Sequence, residues 1–89
     1  ETMQVKTTSG FEATIDEGLL DDYELLEMLC EVDNGNTGKL IEASVKVFGK
    51  EQYAALKEHN RDEDGKISTK KMIEEITEIL SGMQNGKNS

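Results

Sequence analysis

Residues 60–71, NRDEDGKISTKK, come nearest to a pattern that could hold a metal ion. Asn60, Asp62, Asp64 and Ser68 fall at the first, third, fifth and ninth positions of a calcium loop, with Gly65 at the sixth and Ile67 at the eighth. Calcium takes about six to eight oxygens, two of them from a glutamate at the twelfth position. Lys71 stands there instead and replaces two ligand oxygens with a cation. A second stretch, 33–44, fits worse, with Gly35 third and Ser44 twelfth. The residues therefore predict no metal site and an acidic turn between helices, with Ser68 as the cap of the next helix. Weak calcium binding at Asn60, Asp62, Asp64 and Ser68 is the alternative.

Other reactive side chains are few. His59, the only histidine, falls at a predicted helix end, where a histidine commonly faces the dipole. Cys30, the only cysteine, lies among Leu25, Leu26, Met28, Leu29 and Val32 and reads as a small buried hydrophobe. No Lys or Arg between positions 11 and 38 would stabilise its thiolate. A single cysteine also excludes an internal disulfide. Asp21 and Asp22 are adjacent, and adjacent residues on a helix do not face each other. With no nucleophile motif, phosphate-binding glycine loop or metal cluster, the expectation is a protein that is not an enzyme and uses no cofactor.

The elements that position these residues are short. Val5, Thr7 and Thr8, then Ser9-Gly10, then Phe11, Ala13 and Ile15 at period two predict an N-terminal β-hairpin or extended arm over 4–15, turning at 8–10. One helix is expected over 19–32, capped by Asp16 or Asp21. A second is expected over 38–48, capped by Asn36 or Thr37, with Leu40, Ile41, Val45 and Phe48 inside and Gly49 as its stop. A third covers 50–59. A fourth starts at Ser68, carries Met72, Ile73, Ile76, Ile79 and Leu80, and ends at Gly82. The predicted class is mainly α: about four short helices in a small bundle. Its organisation is an arm over 1–15, a helical domain over 16–82 and a disordered tail over 83–89.

Composition bounds the partners. The chain has 89 residues, enough for one domain, and 35% hydrophobic residues, enough for a thin core. Its formal charge of −9 gives no electrostatic footprint for nucleic acid or an anionic membrane. No apolar run approaches the ~20 residues of a membrane span, and no apolar signal segment opens the chain, so a cytoplasmic location is expected. The charge is uneven. Residues 11–35 hold nine acidic and no basic side chains, whereas residues 39–71 hold eight basic and six acidic. The acidic block, interleaved with leucines, reads as a solvated helix face or as the polar frame of a partner surface.

Three blocks, DDYELLE (21–27), FGKEQY (48–53) and DGKIS (64–68), stand in an order that resembles the small tail assembly chaperones of phages and prophages of Gram-positive bacteria with long, non-contractile tails. The likeness runs over about 7–89. It implies a small, acidic, mostly helical protein that binds the tape measure protein before tail assembly, helps to recruit tail tube subunits, works in the cytoplasm of the bacterial host and is absent from the mature virion. A second copy of the chain, giving a homo-oligomer, is a further expected partner. Leu25, Met28 and Leu29 on the first helix, and Met72, Ile76 and Met83 near the last, are the expected partner-binding residues, since a helical client would be held in an apolar groove. The alternatives are a degenerate EF-hand-like calcium-binding module and a small acidic phage inhibitor protein.

Overall fold

Two strands, β1 (Thr2–Lys6) and β2 (Glu12–Asp16), open the chain as an antiparallel pair. This is the computed structural model of the protein, and it describes residues 1–85. Val5 lies opposite Ala13 and Met3 opposite Ile15, so one face of the ribbon is apolar; Val5, Ala13 and Ile15 are buried. A lone ribbon is marginal in water, and this one is covered: β2 packs on the second helix and β1 on the third. The outer edge of β2 is also occupied. Gln52 accepts a hydrogen bond from the Thr14 backbone N–H at 2.7 Å and donates to the Thr14 carbonyl at 2.8 Å, which pairs backbone groups that would otherwise be an open edge.

After a short 3-10 helix over Glu17–Asp21 come three α-helices: α1 (Tyr23–Asp33), α2 (Gly38–His59) and α3 (Thr69–Asn85). The mainly helical class with an N-terminal hairpin holds, but the described residues form three α-helices rather than about four. The two segments expected over 38–48 and 50–59 are halves of α2. Gly49 bends this helix with φ 76° and ψ 162°, a backbone conformation open almost only to glycine.

The other boundaries shift for local reasons. The first helix begins later than expected because residues 17–21 wind as 3-10; Asp16 caps that turn through Gly18 N–H, and Asp22 caps α1 through Leu25 N–H at 3.0 Å. Thr37 precedes α2 without a side-chain cap. Ser68 caps α3 as expected, accepting from Lys71 N–H at 3.2 Å. Gly82 does not end α3. The helix passes through it to Asn85, because a Cβ there would stand 2.7 Å from Val5 Cγ1: the glycine lets α3 lie against β1. Met83, assigned to the tail by sequence, is buried in that extension. Residues 86–89, the remainder of the expected tail, lie outside the described residues. The core joins β1, β2 and the three helices through Val5, Ile15, Leu25, Phe48, Leu56 and Ile79. No helix among the described residues is long and apolar enough to cross a membrane.

Candidate partner-binding groove

The bend at Gly49 has a consequence for the surface. In a straight helix, residues 40 and 57 would stand about 25 Å apart at ~1.5 Å per residue. In α2 they line one groove, about 360 Å³ in volume, whose opposite wall is α3. Leu40 and Ile41 come from the first half of α2, Tyr53 and Lys57 from the second, and Met72 and Ile73 from α3. The lining is mainly apolar and part of it faces water: Ile41 is 56% exposed and Ile73 38%. The Lys57 ammonium lies over the Tyr53 ring, 5.5 Å from its centroid. A half-open apolar trough between helices is the shape that accepts an amphipathic helix.

Helical spacing explains why α3 has one open flank. Met72, Ile76, Ile79 and Met83 recur at i, i+4, i+7 and i+11 and point into the core, where all four are buried. Ile73 and Leu80 lie on one flank of that stripe, and Glu75, Glu78 and Gly82 on the other. The second flank meets the tip of the hairpin. Glu78 accepts from both the backbone N–H and the hydroxyl of Thr8, at 2.8 and 2.6 Å. Ser9 donates its hydroxyl proton to Glu75, and its oxygen stands 2.9 Å from His59 Nε2 and 3.2 Å from Thr7 Oγ1. The Ser9 proton goes to a carboxylate, so His59 and Thr7 act as donors to Ser9. A serine placed between the imidazole and the carboxylate, with its lone pairs engaged, is a structural node and not an activated nucleophile. Glu75 is only 7% exposed, and its Oε1 has no hydrogen-bond partner among the described residues.

The six expected partner-binding residues are placed mostly inward. Leu25, Met72, Ile76 and Met83 are core residues, while Met28 and Leu29 are half-buried against that core. Of the six, Met72 and Ile76 reach the groove wall. The exposed apolar side chains of the first helical region are instead Leu20, Tyr23 (72%) and Leu26 (53%). Cys30 is exposed on α1 rather than buried, because the wide apolar coverage of this helix leaves only Leu25 fully covered. Asp22, which caps α1, also meets Lys46 of α2 at 3.4 Å. The Leu25 N–H first, and then the Lys46 ammonium, hold its carboxyl below the usual value against the opposing effect of desolvation.

The loop over 60–68 is closed by its own bonds. Asp62 Oδ1 accepts from the N–H groups of Asp64 and Lys66, both at 2.9 Å. The Asn60 amide donates to the Leu56 carbonyl at 3.1 Å. Arg61 forms a bidentate pair with Glu58 and donates to the Gly65 carbonyl at 2.7 Å. The oxygens that would have to converge on an ion are thus turned to backbone at Asp62 and Ser68. Among the described residues no group of three or more His, Cys, Asp or Glu is placed to hold a metal.

Compared with protein-family models, with curated proteins and with solved structures, the chain matches none. Sequence reasoning missed Ile41, Tyr53, Lys57 and Ile73 as groove residues. Ile41 and Ile73 read as core from their apolar type, although Ile73 sits one residue off the i, i+4, i+7 stripe. The other two are gathered by the bend at Gly49, where the residues predict the end of a helix.

Proposed function

We propose that this chain is a non-enzymatic assembly chaperone that binds the tape measure protein of a long-tailed phage in the bacterial cytoplasm before the tail forms, and that it helps to recruit tail tube subunits. The observation that carries the proposal is the open apolar groove between the halves of α2 and α3, with Ile41 and Ile73 unburied on its walls. A tape measure chain rich in apolar helical stripes needs such a trough to stay apart from its own copies. The net charge of −9 adds repulsion between loaded complexes. The order of the blocks at 21–27, 48–53 and 64–68 supplies the likeness to tail assembly chaperones.

Co-expression tests the proposal. With the tape measure protein encoded beside it, the chain is expected to keep that protein soluble and to co-purify with it. A client that stays insoluble, with no complex recovered, refutes the assignment.

A further inference from the structure

The groove is mainly apolar, with the hydroxyl side chains Thr37 and Thr69 and one charged residue on its lining. Of the described residues that line it, only Lys57 is charged. Lys57 makes no ion pair with another described residue and rests over Tyr53. A helix seated in the groove would cover this ammonium and strip its water. Covering a cation with apolar or basic side chains leaves a desolvated, unpaired charge, whereas a carboxylate at that point gives an ion pair out of water. The stretch that supplies the lining, residues 37–76, is neutral overall, with eight basic and eight acidic side chains, in a chain of −9.

We propose that the groove selects an amphipathic helix of the partner that carries a carboxylate beside its apolar anchors, with Lys57 as the specificity residue. This rests on the chaperone assignment for its biological partner, but its chemistry is testable alone. The net charge of the chain disfavours acidic partners at long range, so Lys57 acts through contact, and discrimination comes from the unpaired charge that a wrong partner would bury.

The probes are three synthetic amphipathic peptides with leucines at i, i+3, i+4 and i+7, differing only in one flanking Glu, Gln or Lys. Each is titrated calorimetrically into the full chain. The Glu peptide is expected to bind about tenfold more tightly than the Gln peptide, and the Lys peptide more weakly than both. Lys57→Glu, checked for fold by circular dichroism, reverses the order. Ile41→Glu abolishes binding of all three. Equal affinities, or an order unchanged by Lys57→Glu, overturn the inference. So does a concentration-dependent mass that Ile41→Glu removes, since a second copy would then fill the groove. If the tape measure protein is captured equally by wild type and Lys57→Glu, this selectivity fails while the chaperone assignment stands. If the peptides are discriminated and the tape measure protein is not captured, the assignment alone fails.

Discussion

The two flanks of α3 are built from opposite chemistry. On one, Glu75 and Glu78 are tied to the hairpin tip through Thr8, Ser9 and His59. On the other, Ile73 faces a groove that none of the described residues fills. Polar groups near the interior must find partners, so the acidic flank is closed by directional bonds. Apolar groups tolerate water at modest cost, so the groove can stay open. Between the flanks runs the core stripe of Met72, Ile76, Ile79 and Met83, on which both depend. A bonded flank and an open apolar flank are thereby carried on a single helix.

The stripe gives the largest expected effect. Ile79 is fully buried, and Ile79→Ala removes its methyl groups and leaves a cavity that costs about 2–5 kcal/mol. Urea unfolding followed by circular dichroism measures this. A loss below about 1 kcal/mol would mean that the stripe does not anchor both flanks. Ser9→Ala acts on the closed flank alone. It leaves both Glu75 oxygens without a partner in a buried position and is expected to cost about 1–3 kcal/mol. Glu75→Met, which removes the charge together with its need for partners, costs less than Ser9→Ala. If the two variants lose equal stability, the unpaired carboxylate is not the reason for the loss.

Gly49→Ala addresses the groove. No atom would meet a Cβ at Gly49, so the cost, about 1–3 kcal/mol, comes from the backbone conformation alone. The variant either loses that stability or straightens α2, carrying Leu40 and Ile41 away from Tyr53 and Lys57. Chemical shifts of those residues together with the melting temperature distinguish the outcomes. A variant with wild-type stability and unchanged shifts would show that the bend needs no glycine.

Much of this was legible from the residues. Alternation in 11–15 gave the hairpin, the cap at Ser68 gave the start of α3, and the spacing of Met72, Ile76 and Ile79 gave its inner face. What was not legible depended on tertiary distance. Gly49 falls where a helix stop is expected, and its backbone does leave the helical conformation there; that the next segment follows as the second half of one bent helix depends on how it packs back on the same core, which local sequence does not encode. The closeness of Gly82 to Val5 separates residues 77 positions apart in sequence, and no local pattern encodes it. The expectation of partner-binding residues rests on apolar type and helical position, which are also the marks of a core residue. Leu25 and Met83 are buried, whereas the less regular Ile41 and Ile73 are open.

Asp22 provides a comparison remote from both flanks of α3. Its carboxylate caps α1 and meets Lys46, and its folded pKa lies below the usual value. The charged form is therefore favoured by folding. Its contribution is present above the unfolded pKa and is lost as pH falls through the lowered folded value. Asp22→Asn keeps a good cap but removes the charge. Wild type is expected to melt at a higher temperature than the variant at neutral pH, and the two curves should converge in acid. A constant difference at all pH values would locate the effect in the cap geometry.

The smallest change in stability is expected at the groove itself. Ile41 and Ile79 are the same residue type on facing helices, but Ile41 is 56% exposed and Ile79 fully buried. Ile41→Ser gives up only the covered part of the side chain, about 1 kcal/mol or less, and serine costs little more than isoleucine in helix propensity. If the groove is a recognition surface, this substitution weakens partner capture while the unfolding curve hardly moves. A loss near that of Ile79→Ala would place Ile41 in the core in solution, with the groove closed, and would erase the difference between the two flanks of α3.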